Sequence, residues 1–221
     1  EQTKCMPKSI VITGASSGIG KATATLYKQQ GEKVTELTRD VLDLSTRNIE
    51  TTIPQVIKKI KDVDWLIHVA GFVNPRESFD NLETLEETFN VNLFSAIYLT
   101  KAILPKLNED GGIIFVSSGA GIIGSGRVPL YATSKGGLNT FAQSLAFHFK
   151  FNDISKSSIV VAPGPTNTKI RDLTSGDANK HQSPESVARV LLDITSGSSQ
   201  YQNGDIIVVN NSKDSLHSKL A

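Results

Sequence analysis

Tyr131 and Lys135 stand four residues apart in the run Tyr131-Ala132-Thr133-Ser134-Lys135, at the start of a predicted helix. Residues at i and i+4 share one helix face, so an ammonium would lie beside a phenol. That neighbour favours the phenolate and draws the phenol pKa down from its usual value. Tyr131 then has the chemistry of a general acid in one direction and a general base in the other. Such a pair is also a commonplace of helix surfaces, so its weight comes from its company. Ser118 lies thirteen residues earlier, at the end of the apolar run Gly112–Ser118. In an open parallel sheet, ligands meet the carboxyl ends of strands, where the Ser118 hydroxyl can donate to a carbonyl oxygen and steady its developing charge. Ser117 reads as a cap or turn residue. Asn92, in Phe89-Asn90-Val91-Asn92-Leu93, is a poor choice for a helix interior and needs a reason to be there; Asn90 is its rival.

These residues need a frame that presents strand ends to one cleft. Short apolar, β-branched runs alternate with longer amphipathic segments along the chain. This is the pattern of a parallel sheet buried on both faces by helices. The runs predict strands at 9–13, 33–37, 41–42, 64–69, 113–117, 158–162 and 205–209. Helices are predicted over 17–30, 45–61, 84–107, 129–151 and from Ser183 onward, where serine caps and Pro184 opens the first turn. The fold expected is α/β: a Rossmann-type doubly wound sheet of about seven parallel strands in one domain over 1–221. Residues 1–8 read as an N-terminal extension and 165–182 as a polar lid loop.

Between the first strand and its helix lies Thr13-Gly14-Ala15-Ser16-Ser17-Gly18-Ile19-Gly20. Glycines here let a pyrophosphate approach the backbone, and the helix N-terminus offers it unpaired N–H groups and a positive dipole end. A strand before and a helix after are the context that makes such a loop a dinucleotide site. Past the second strand, Arg39 follows Thr38. An arginine there suits a ribose 2′-phosphate, where an acidic residue would suit a free 2′-hydroxyl. NADP(H) is therefore expected over NAD(H). The adjacent Asp40 is a competing partner for Arg39.

The spacing Gly14-x3-Gly18-x-Gly20, with Asn92, Ser118, Tyr131 and Lys135 in order, resembles the short-chain dehydrogenase/reductase family. The likeness runs from residue 9 to about 168. It implies further roles. Asn92 would hold a water that relays protons from Lys135, and Lys135 would also hold the nicotinamide ribose. Thr38 would occupy the place of the family's NAD-type acid, and Asp43 would meet the adenine edge. Ala70 and Gly71 would border the cofactor, with Ser16, Ser17 and Ile19 in the loop. Pro163-Gly164-Pro165-Thr166-Asn167-Thr168 would match the family's PGxxxT segment, Thr168 meeting the carboxamide. Two departures stand out: His68-Val69-Ala70-Gly71 replaces NNAG, and the second-to-third strand connection is shortened. His68 reads as satisfying a sheet hydrogen bond. The activity implied is hydride transfer between a nicotinamide and a small carbonyl compound or its alcohol. A catalytically idle NADP(H)-binding regulatory or scaffold protein, and a sugar-nucleotide epimerase or dehydratase, remain as alternatives.

Lys and Arg total 23 against 22 Asp and Glu, a net charge of +1, which gives no reason to expect nucleic acid or an anionic membrane as partner. No apolar run approaches the ~18 residues of a membrane span, and no metal is expected. The single cysteine, Cys5, agrees with a reducing compartment, read as the cytoplasm. A homodimer or homotetramer is expected through the helices near 84–107 and 130–151, with Phe141, Leu145 and Phe149 a stripe for either a partner or the core. Ile170 and Leu173 of the lid, and Ile122, Ile123, Val128, Leu130 and Arg127 opposite, are candidate substrate contacts.

Overall fold

A computed structural model of the chain describes residues 6–168, 181–197 and 201–210, and the backbone of 217–219. The elements run β1 (Ser9–Thr13), α1 (Gly18–Gln29), β2 (Lys33–Leu37), α2 (Ile49–Ile57), β3 (Val63–His68), α3 (Leu85–Phe89), a π-helical turn (Asn90–Phe94) and α4 (Ser95–Ile103). They continue through β4 (Leu107–Val116), α5 (Ala120–Ile123), α6 (Pro129–Phe151), β5 (Ser157–Pro163), α7 (Pro184–Ser196), β6 (Ile206–Val209) and β7 (His217–Lys219). The sheet order is β2-β1-β3-β4-β5-β6-β7. Six strands are parallel and β7 pairs antiparallel with β6.

The apolar runs are continuous because both faces of the sheet are covered. Ile12, Ile67, Ile114 and Ile159 pair across four neighbouring strands. They pack with Ala24 and Tyr27 of α1 and Val187, Leu191 and Ile194 of α7. The Tyr27 hydroxyl joins Thr195 Oγ1 at 2.8 Å in the interior, so its polar end is satisfied where α1 meets α7. On the other face Val11, Leu66, Ile113, Phe115 and Val160 meet α2, α4 and α6. Leu145 and Phe149 are buried in that cluster and Phe141 packs edge-on to Phe115 at 5.8 Å, so this stripe belongs to the core.

Three expectations are corrected. Val41-Leu42 is no strand: both amides donate to the Thr38 carbonyl in a tight turn. A parallel neighbour needs a crossover of about a dozen residues, and only three separate Leu37 from Val41. Leu42 and Leu44 instead pack from the loop against α2, and β2 is left at the sheet edge. The seventh strand is the antiparallel β7 rather than a parallel one. Finally, the segment 84–107 is not one helix; it is interrupted by the π turn at 90–94 and ends in a short 3-10 turn, Leu104–Lys106, around Pro105. Most of the expected lid, 169–180, with Ile170 and Leu173, lies outside the described residues, as do residues 1–5 of the N-terminal extension.

Candidate active site

β1 delivers the chain into Gly14, whose φ of +68° is in the left-handed region, as is Gly18 at +51°. A side chain would not fit at the loop's key points. A Cβ on Gly14 would lie 2.8 Å from Ala70 Cα, and one on Gly20 would lie 2.2 Å from the Gly14 carbonyl oxygen. Thr13 Oγ1 accepts from the amides of Val69 and Ala70, both at 3.1 Å, which fixes the end of β3 against the glycine loop. Helix α1 starts with no side-chain cap and no acidic residue in its first turn. Its positive end therefore faces a cavity of about 320 Å³, walled by the loop from Gly14 to Gly20 with Ser16, Ser17 and Ile19, and by Ala70 and Gly71.

At the far end of this cavity stand Arg39 and Asp43. Arg39 Nε lies 3.6 Å from Asp43 Oδ2; Asp40 bonds instead to the Thr38 hydroxyl, so the partner expected for Arg39 is replaced. Thr38 is occupied by this turn and is not on the cavity wall. Asp43 Oδ1 accepts from the Ser45 hydroxyl at 2.7 Å and amide at 3.0 Å. Those bonds, with Arg39 a smaller cause, hold its carboxyl below the usual carboxylate range. Ser45 was not marked by the sequence, although an acid two residues before a serine is a common turn pairing.

The second cavity, about 550 Å³, shares Ile19, Val69, Gly71 and Thr168 with the first. Ser118, at the end of β4, Tyr131 and Lys135 line it, as do Pro163 and Gly164 at the end of β5. The Tyr131 side chain hydrogen-bonds to Ser118. Ser118 Oγ also accepts from the Ala120 amide at 3.2 Å, holding the short α5 in place. Lys135 is 2 % exposed; its Nζ donates to the Val116 carbonyl at 2.9 Å and sits 5.9 Å from the centre of the Tyr131 ring. Burial pushes its ammonium down to about 8. The phenol departs from expectation: burial lifts Tyr131 above its ordinary value, with the Ser118 bond opposing. Lys135 is itself desolvated and turned to a carbonyl, and desolvation disfavours the charged form of each group. Ser117 donates to the Lys135 carbonyl at 3.3 Å.

Asn92 lies in the π turn, 1 % exposed. The widened turn is what makes room for it, and such turns often mark functional positions. Its Oδ1 accepts from the Phe72 amide at 2.7 Å; its Nδ2 donates to the Phe72 carbonyl at 2.8 Å and to Ser134 Oγ at 2.9 Å. A Cβ on Gly71 would touch both Lys135 Nζ, at 3.5 Å, and Asn92 Oδ1, at 3.7 Å, so these three residues meet at one point. Asn90 turns the other way, donating to the Ser45 carbonyl at 3.3 Å. His68 Nε2 pairs with Thr100 Oγ1 at 3.2 Å and its ring stacks on Phe115 at 5.0 Å. Burial, with Lys135 nearby, pushes its pKa down to about 3 and keeps it neutral.

Of the suggested substrate wall, Ile123, Val128 and Arg127 line the second cavity, while Leu130 is buried in the interior and neither it nor Ile122 is on the wall. Two further residues had no sequence signal. Gln182 Nε2 donates to the Gly164 and Val209 carbonyls, clamping the chain after β5. Glu77, 4 % exposed, accepts from the Tyr131 amide at 3.1 Å across 54 residues of sequence.

Comparison with known proteins agrees with this geometry. A family model described as short chain dehydrogenase matches residues 37–178. The chain is 28% identical over 240 residues to the 3-oxoacyl-acyl-carrier-protein reductase FabG of Thermotoga maritima, covering 90% of this chain and 95% of that protein. Among solved structures, a short-chain dehydrogenase from Salmonella enterica superposes with a TM-score of 0.81 at 24% identity, covering 92% of this chain and 96% of its own. Another from Escherichia coli, complexed with NADPH, also gives 0.81 at 24% identity, over 91% and 95%. These two show a shared fold. The glycine loop, the strand-end cleft and the extent of the family match lead to one conclusion: this chain belongs to the short-chain dehydrogenase/reductase family, NAD(P)-dependent oxidoreductases of CH–OH and carbonyl groups.

Proposed function

We propose that the protein interconverts a small carbonyl compound and its alcohol with NADP(H), using Tyr131 as the proton carrier. The observation that carries this reading is the Tyr131–Ser118 hydrogen bond, with the Lys135 ammonium 5.9 Å from the centre of the Tyr131 ring, in a cavity that shares a wall with the glycine cradle. The cradle fits a dinucleotide, because Gly14 and Gly20 leave no volume for side chains and α1 opens uncapped onto it. Gly18, Ala70, Gly71, Pro163, Gly164 and Thr168 would line its path. A bound nicotinamide supplies or accepts the hydride. An exposed Arg39 side chain on the wall of the first cavity, 3.6 Å from Asp43, supports a 2′-phosphate as its partner, as does the NADPH complexed with the similar Escherichia coli structure.

The chain's own residues do the rest. Tyr131 gives its hydroxyl proton to the substrate oxygen during reduction and recovers it in oxidation. Ser118 donates a second hydrogen bond to that oxygen. The Lys135 charge favours the phenolate formed after proton transfer. Asn92 Oδ1, with one lone pair given to Phe72, keeps the other for a water linking Lys135 to solvent. The substrate is small, bounded by Val73, Ile123 and Val128.

Exposed Phe94 at the end of the π turn and Tyr98 on α4, with Phe147 and Phe151 on α6, support a homo-oligomer, and the single cysteine suits the cytoplasm. Absorbance of NADPH and NADH, followed against aldehydes, ketones and quinones, tests the reading. Net oxidation with higher kcat/KM for NADPH is expected. Conversion without net oxidation would favour an epimerase, and binding without turnover an idle scaffold. Light scattering on the same preparation should give a multiple of the chain mass; a monomer would remove the assembly.

A further inference from the structure

The loop between β3 and α3 holds a buried acid that the chemistry above leaves unused. Helix α6 carries both Tyr131 and Lys135 and runs 23 residues, yet Val128 at its cap position supplies no side-chain bond. The first turn of a helix exposes amides that need acceptors. Pro129 has none to satisfy, and the next two, Leu130 and Tyr131, both donate to Glu77. The carboxylate at this position also complements the positive end of the helix dipole.

Glu77 is held where it is by the same residues that surround Lys135. Asn92 grips Phe72 through both its amide and its carbonyl. The chain then turns, with the Glu77 amide donating to the Asn74 carbonyl and Asn74 Oδ1 accepting from Arg76. Asn92 also donates to Ser134, one turn along α6 from Glu77's contact. The loop is thus tied to α6 directly at Tyr131 and, through Asn92, at Ser134. Its second carboxylate oxygen, Oε2, is buried with no partner. Leaving that oxygen buried and unmatched is unfavourable, so the acid is a poor choice for stability alone.

We infer that Glu77 is a positioning residue: it grips the backbone amide of Tyr131 and so fixes the reach of the phenol toward Ser118. This rests on Tyr131 being the proton carrier. E77Q keeps the acceptor oxygen, E77D withdraws it by one methylene, and E77A removes it. Misplacement of a reacting group by about 1 Å can cost on the order of 100-fold, so E77A should lower kcat about 10- to 100-fold with KM and NADPH affinity little changed. E77D should fall between, and E77Q should recover most of kcat. Wild-type kcat in E77A, or in E77D should E77A fail to fold, overturns the inference. So does E77Q falling as far as E77A. A loss confined to thermal stability, or shared equally by KM and cofactor binding, overturns it too. Amide exchange at Leu130 and Tyr131, slow in the unaltered protein and fast in E77A or E77D, is read without any substrate. If the unaltered protein turned nothing over, the proposed activity would fail, while exchange alone would still judge the Glu77 contact: fast exchange in the unaltered protein overturns it.

Discussion

At the Tyr131 end of the cleft, Asn92, Ser134, Lys135 and Glu77 are at most 4 % exposed, and each is bonded to backbone or to another of the group. At the Arg39 end, the two charged side chains are 74% and 40% exposed and touch at 3.6 Å. One end places groups by packing in a low-dielectric interior, where small shifts in geometry or charge are felt strongly. The other places them by exposed surface side chains, whose pairing contributes little. The buried end is suited to bond-making that tolerates no slack, and the open end to discrimination between cofactors that differ by one phosphate.

The difference should show in the size of mutational effects. Tyr131→Phe keeps the ring's packing and deletes only the hydroxyl, so turnover should fall by about 10³-fold, with NADPH affinity nearly intact. Stopped-flow turnover and fluorescence titration check this; near-normal turnover would exclude Tyr131 as the proton carrier. Lys135 tests the cost of the buried end. Its pKa lies at about 8 in the folded chain against 10.5 unfolded. Between those values the unfolded chain binds more protons, so stability rises with pH across that window, by up to about 3 kcal/mol. Lys135→Met should abolish the rise. Urea melts from pH 7.5 to 10.5 read it, and parallel curves for the two proteins would contradict the burial argument. The smallest effect belongs to the open end: Arg39→Ala should raise KM for NADPH about tenfold, as for one charge-assisted bond, and leave NADH unchanged. Equal changes for both cofactors would make Arg39 a surface residue.

The same contrast governs how much could be read from the chain. β1, β2 and the glycine loop were legible because local apolar runs and glycines specify them without reference to distant residues. Ser118, Tyr131 and Lys135 come together in the cleft for a similar reason: a strand end and an i, i+4 helix pair are local geometries. Glu77 was not legible, since the amide it meets is 54 residues away and nothing near it signals a cap. Val41-Leu42 misled through composition: Leu42 buries from a loop as well as it would from a strand while Val41 stays exposed, and only the short span from β2 forbids the strand. The lowering expected at Tyr131 failed because spacing reports proximity to Lys135 but not how deeply both groups are desolvated.

The π turn at 90–94 also limits which lengths this segment can take. It carries one residue more than a regular helix would use, and that surplus is what brings Asn92 round to Phe72 and Ser134. Each residue advances a helix by about 100°. Deleting one there would regularise the coil and swing the Asn92 amide away from Lys135. The surplus residue is thus an inserted letter that cannot be edited out, although a standard helix would be smoother without it.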